Sequence, residues 1–278
     1  MKKALVVLLA LALVIALAAG CGQSAKEQPQ GSEQPQVEKK TLVVGATPVP
    51  HGDILNVVKP ILEKEGITLE IKEFTDYVTP NLALADKQLD ANYFQHLPYL
   101  EEFCKDKGLD LTYTAKIHFE PMGLYSKKVK KVDEFAGGAT IAVPNDPTNG
   151  GRALVVLEKA GLLKLKEGVG IKATVQDIVE KKVNVKELEA AMLPKVLDEV
   201  DGAVINGNYA VQAGLKPSDA LVAEDAKSEA ADTYGNIVAV RKGDENRPEI
   251  QALTKALQSP EVKKFIEETY QGAVIPTF

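Results

Sequence analysis

Leu42-Val43-Val44-Gly45-Ala46, Ile54–Glu65 and Leu69-Glu70-Ile71-Lys72-Glu73-Phe74 are the stretches whose reading decides the fold. The first is a short continuous apolar run ending in small residues, the signature of a buried strand. The second carries apolar residues at helical spacing and stops at Gly66. The third alternates like a strand. A strand, a helix and a strand in this order predict a parallel pair joined by a crossover helix.

The rhythm extends outward. Val78–Leu89 reads as a helix with Pro80 in its first turn, Asp90–His96 as a strand, and Tyr99–Lys107 as a helix closed by Gly108. It resumes after Gly123: strand Thr140–Pro144, helix Gly150–Gly161, strands Asn184–Leu188 and Gly202–Asn206 with helix Leu193–Val200 between them, then strand Asn236–Val240 and helices Pro248–Gln258 and Glu261–Gln271. About 240 residues of this kind exceed one comfortable α/β core and suit two lobes of roughly 100–130. Strands near 122–126 and 236–240 are the places expected to carry the chain between lobes. Lobe 1 is then 41–121 completed by 236–278, and lobe 2 is 122–235. Two α/β lobes joined twice enclose a cleft at their strand ends, where open sheets bind ligands.

Ahead of this domain, Lys2 and Lys3 precede the apolar run Ala4–Ala19, which ends in Ala18-Ala19-Gly20-Cys21. A basic start, a short apolar core and small residues before a Cys read as a lipoprotein signal, with residues 1–20 removed and Cys21 lipidated. Ala18 stands where the usual pattern has Leu, and Leu17 lies one place earlier. Residues 21–40 are rich in Gln, Ser, Glu, Pro and Lys and read as a disordered tether. Without residues 1–20 the formal charge moves from −6 to −8, because Lys2 and Lys3 leave. An acidic domain argues against nucleic acid and against electrostatic adhesion to anionic lipid, so attachment falls to the acyl chains. With Cys21 committed to lipid, Cys104 has no partner for an internal disulfide and reads as a half-buried structural thiol.

Three segments carry polar chemistry. In Asp90–His96, Asn92, Phe94 and His96 share one strand face, and Tyr93 and Gln95 the other. Phe94 and His96 suit a wall for an apolar ligand group, and equally suit core packing. In Val143–Leu154 a strand ends at Pro144, a turn-rich loop follows, and a helix starts near Asn149. Arg152 in the first helical turn opposes the helix dipole. A bound carboxylate would justify it; so would a bridge to a carboxylate of the protein. Asn206 ends an apolar strand, where it can accept from an ammonium or simply make the turn. His51, His96 and His118 with Glu120 invite a zinc reading, but no His pair has close helical or hairpin spacing, and none is assigned. No GxSxG, HExxH, Walker A or complete GxGxxG pattern is present, so the reading is not enzymatic and needs no cofactor.

Five stretches carry a resemblance: Thr75–Asn81, Asp90–Leu100, Glu120–Ser126, Val143–Leu154 and Val204–Ala210. Together and in this order they resemble the NlpA-type methionine-binding lipoproteins of bacterial ABC importers, over essentially all of Thr41–Phe278. The resemblance implies a two-lobed periplasmic-binding-protein fold closing on a free amino acid. By position, Tyr77, Phe94 and His96, with His118 a further wall, would surround the thioether. Arg152 would take the α-carboxylate, Asn206 the α-amino group, and Asn149 would fix the polar end. It further implies a monomer, lipid-anchored on the extracytoplasmic side of the membrane, that delivers L-methionine to a permease driven by an ATPase. D-methionine, a Met-containing dipeptide, another amino acid and a transition metal are the alternative cargoes.

Overall fold

The computed structural model describes residues 40–278 apart from Ser228, and apart from the side chain at 229. The signal, Cys21 and the tether as far as residue 39 lie outside the described residues.

The first half runs β1 (Lys40–Ala46), α1 (Asp53–Lys64), β2 (Ile67–Glu73), α2 (Thr79–Ala85), β3 (Ala91–His96), α3 (Leu97–Lys107) and β4 (Leu111–Phe119). The second runs β5 (Gly123–Tyr125), β6 (Thr140–Pro144), α4 (Pro147–Lys159), β7 (Leu163–Leu165), β8 (Ile178–Lys181), β9 (Asn184–Leu188), β10 (Gly202–Ile205), α5 (Gly207–Gln212) and β11 (Val222–Ala223). Then come α6 (Glu229–Thr233), β12 (Asn236–Arg241), α7 (Pro248–Leu257), α8 (Pro260–Tyr270) and β13 (Ile275–Pro276).

The strands form two main sheets, ordered β13-β4-β12-β3-β1-β2 and β11-β5-β10-β6-β9, with β7 and β8 as a separate hairpin. β1 pairs in parallel with both β2 and β3, and β6 with both β9 and β10. β12 runs antiparallel between β3 and β4. Each sheet has its own cores: Leu42, Val44, Tyr93 and Val238 with α1, α7 and α8 in the first lobe, and Leu124, Ile141, Val204 and Leu157 in the second. The chain passes between sheets at 120–122 and again between Ala223 and Asn236. The strands expected to make these crossings sit at their ends as sheet members.

The helices end where their chemistry stops them. α1 buries Ile54, Leu55, Val58 and Leu62 on one face. α3 starts with the His96 side chain accepting from the Tyr99 N–H and ends at Gly108 with φ 66°, a left-handed cap that favours glycine. The helix expected at Leu193–Val200 is a run of turns. Pro194 supplies no N–H there, while Leu193, Leu197 and Val200 are still buried. β4 belongs to no expected element. Cys104 is a free, partly buried thiol beside Leu100 and Ile237. Among the described residues, no helix is long and apolar enough to cross a membrane.

Candidate functional site

β3 is buried from end to end, and it is not a regular strand. Against β12, Gln95 pairs with Ile237 and Tyr93 with Val238, so Phe94 is an extra residue in a bulge. A bulge re-aims side chains. Phe94, Gln95 and His96, three in a row, therefore line one cavity. The alternation expected from sequence is corrected here: Gln95 leaves Tyr93's face and joins Asn92. Its Nε2 donates to Asn92 Oδ1 at 3.0 Å and to Asn81 Oδ1 at 2.6 Å. Tyr93 packs into the first lobe's core.

The cavity wall gathers Tyr77, Phe94, His96, Asn149, Arg152 and Asn206, six of the seven expected residues, with Gln95, Tyr99, Glu120, Gly207, Asn208 and Asn236. Tyr77 is held by Phe94 and Tyr209, at ring-centroid distances of 5.9 and 4.9 Å. Its hydroxyl donates to Asn208 Oδ1 at 2.6 Å, and its backbone oxygen accepts from the Tyr99 hydroxyl at 2.9 Å. Burial raises the Tyr77 pKa well above the usual phenol value, so the ring stays neutral.

Asp146, not Asn149, caps α4. Asn149 sits inside the first turn, with its N–H and Nδ2 both donating to Asp146. Its Oδ1 accepts from His96 Nε2 at 3.1 Å and from Asn206 Nδ2 at 2.8 Å. Because His96 Nδ1 accepts a backbone N–H, the proton lies on Nε2, the tautomer that Asn149 requires. Burial, with Arg152 nearby, lowers the His96 pKa to about 3 and keeps the ring neutral.

Arg152 is 4% exposed. Nε donates to Glu224 Oε1 at 2.7 Å, and Nη2 to Glu224 Oε2 at 2.5 Å and to the Glu120 carbonyl at 3.0 Å. The guanidinium carbon lies 4.1 Å from the Tyr234 ring centroid. Burial opposes the charge, but Glu224 outweighs it and raises the pKa. A guanidinium has five N–H donors; these contacts use the three on Nε and Nη2 and leave those of Nη1 unengaged by them.

His118 stands apart from the lining and is the one expected site residue the cavity does not gather. It lies fully buried behind Glu120. Its Nδ1 accepts from the Tyr93 hydroxyl, and Nε2 donates to Glu120 Oε1 at 2.7 Å. That places it against Tyr93, whose hydroxyl captures it. His51 joins the same cluster, accepting from Thr47 at 2.7 Å and donating to Asn236 Oδ1 at 3.1 Å. One ligand atom each from His51, His118 and Glu120 lies within 4.8 Å of the others. These are the groups that could hold a metal, brought together across sequence distances that no spacing rule could reveal; each already has a hydrogen-bond partner inside the protein.

Sequence reasoning does not pick out Glu224, Asn208 or Asn236, and it weighs Glu120 only as a metal ligand beside the histidines. Glu120 lies in the first passage between sheets, Glu224 enters the second, and Asn236 leaves it. The strands expected to carry the chain between lobes begin beside Glu120 and at Asn236, which was the available signal.

Two lobes of mixed sheet, joined twice, with a cavity lined from both, define the class of two-lobed substrate-binding proteins. The chain belongs to the NlpA lipoprotein family, whose profile matches residues 42–278. It is 42% identical to the methionine-binding lipoprotein MetQ of Bacillus subtilis over 275 residues, covering 96% of each chain. A lipoprotein structure from Ruminococcus gnavus superposes with a TM-score of 0.84 at 50% identity, covering 86% of this chain and 100% of that one. A nutrient-binding protein from Burkholderia cenocepacia, solved bound to methionine, gives a TM-score of 0.81 at 44% identity, covering 85% and 100%.

Proposed function

We propose that this protein is a lipid-anchored extracytoplasmic receptor that captures L-methionine and hands it to the permease of an ABC importer, without catalysing a reaction. One observation carries the reading: a single cavity is lined both by aromatic rings (Tyr77, Phe94, Tyr99) and by buried charge and amides (Arg152, Glu120, Asn206). A thioether gains about 0.3–1.5 kcal/mol against aromatic edges, and a zwitterion needs charged and amide partners when buried. The names of the relatives above point to the same cargo.

In this reading Tyr77, Phe94 and His96 hold the side chain. Arg152 meets the α-carboxylate through Nη1, its plane fixed by Glu224. Asn206 accepts from the α-ammonium, Asn149 in the wall fixes the polar end by holding His96 and Asn206, and His118 acts from behind the wall. Lobe 1 is 41–121 with 236–278, and lobe 2 is 122–235. The ligand touches both lobes, so it binds the closed arrangement better than the open one and biases closure. Cys21 supplies the anchor, and the receptor works as a monomer alongside the permease and its ATPase.

Calorimetric titration of the full chain in detergent, refolded to strip retained ligand, tests this. Micromolar or tighter binding of L-methionine is expected; absence of heat contradicts it. D-methionine and Met dipeptides in the same titration measure the stereochemical and size preference.

A further inference from the structure

Among the described residues, three buried side-chain polar atoms have no hydrogen-bond partner: Asn206 Oδ1, Asn208 Nδ2 and Tyr234 Oη. The first two belong to residues lining the same cavity. They are opposite in kind, one an acceptor and one a donor, and their residues stand two apart in the chain. An amino acid is complementary in kind to both: its ammonium only donates and its carboxylate only accepts.

Asn208 is 2% exposed. The Tyr77 hydroxyl, reaching over from the first lobe, donates to its Oδ1 at 2.6 Å, which leaves Nδ2 as the unpaired amide atom. Leaving a buried amide donor unpaired is costly, and such atoms in native structures ask for an explanation. A thioether sulfur accepts only weakly, whereas a carboxylate offers about four lone-pair sites. Asn208 and Arg152 also flank one residue. Gly207, next to Asn208, packs so closely on Glu120 that a Cβ there would lie 2.5 Å from the Glu120 Cβ, and Arg152 Nη2 donates to the Glu120 carbonyl at 3.0 Å. With Nε and Nη2 of Arg152 occupied within the protein, a ligand carboxylate needs a second donor.

We infer that Asn208 is a ligand-binding residue whose Nδ2 donates to a carboxylate oxygen of the bound amino acid, held in place by Tyr77 across the cleft. The inference rests on the amino-acid reading above and names the second donor in that site. Because the Tyr77–Asn208 bond spans the lobes, this donor is aimed only when the lobes are together, which ties recognition of the carboxylate to closure.

The test is calorimetric titration of the full chain in detergent with L-methionine and with L-norleucine, which keeps the carboxylate and lacks the sulfur. Asn208→Asp retains the oxygen that Tyr77 needs and replaces the donor with an acceptor; Asn208→Ala removes both. Thermal melts without ligand establish that the variants fold. Asn208→Asp is expected to weaken both ligands at least ~10-fold, the loss of one charge-assisted hydrogen bond, and Asn208→Ala to weaken both by a similar factor. Wild-type affinity in Asn208→Asp would overturn the inference, since a structural role through Tyr77 survives that change. A loss confined to methionine would also overturn it, by placing the donor on sulfur. If the wild-type chain binds neither ligand, the amino-acid reading itself fails.

Discussion

Nε of Arg152 donates to Oε1 of Glu224 at 2.7 Å, so the cation expected to serve a ligand carboxylate is already neutralised within the protein. Both groups are buried, with side chains 5% and 10% exposed. Removing one partner of such a pair costs about 3–5 kcal/mol, because a buried charge is left alone. Glu224→Gln should therefore lower the unfolding temperature of the ligand-free chain. A ligand carboxylate would then replace part of what was lost, so methionine should raise the melting temperature more in Glu224→Gln than in wild type. Thermal unfolding with and without methionine checks this; equal ligand-induced shifts would count against the pairing.

Asn149 uses its whole amide inside the protein, bonding Asp146, His96 and Asn206. Asn149→Ala leaves His96 Nε2–H and Asn206 Nδ2 without their acceptor, at about 1–3 kcal/mol for each buried group. Both stability and methionine affinity should fall. Phe94→Ala, in contrast, should cost affinity while the chain still folds, since the Phe94 ring faces the cavity. Paired melts and titrations separate the two outcomes.

The buried histidines make the fold acid-sensitive. Burial lowers His51 to about 4, and His96 and His118 to about 3, against 6.5 for an exposed ring. Below pH 6.5 the unfolded chain binds protons that the folded chain refuses, so stability falls as pH drops from about 6.5 toward 4. Each histidine contributes about 1.4 kcal/mol per pH unit in that window. Glu120 and Asp146, raised by burial, hold protons longer in the fold and offset part of the loss. Denaturant midpoints at pH 7 and pH 5 should differ, with pH 5 the lower. His118→Gln should flatten the slope.

Gly207 sits against the first passage between lobes, and a Cβ there would lie 2.5 Å from the Glu120 Cβ. Gly207→Ala should force α5 away from Glu120 and weaken methionine binding by about tenfold or more, with a smaller effect on the melting temperature. Wild-type affinity in that variant would mean that the contact yields easily.

Much of this was legible in the chain. β1, β6, β10 and β12 are short apolar runs bounded by turn residues, and the hydrophobic pattern alone places them. Phe94, His96, Arg152 and Asn206 stand out because strand ends and a helix start are where ligands meet open sheets. The bulge at Phe94 was not legible, because it depends on register with β12, some 140 residues away in the chain. Glu224 and Asn208 look like ordinary loop and helix-start residues until the lobes place them beside Arg152 and Tyr77. His118 was assigned by likeness to the wall, and the Tyr93 hydroxyl holds it one layer behind.

The central claim, that Arg152 receives the carboxylate of a captured amino acid, meets its most direct test in calorimetric titration of L-methionine into the refolded full chain and into its Arg152→Ala variant. The account predicts micromolar or tighter binding by the wild type and none detectable in the variant. Near-normal affinity in Arg152→Ala would contradict it and remove Arg152 from the site.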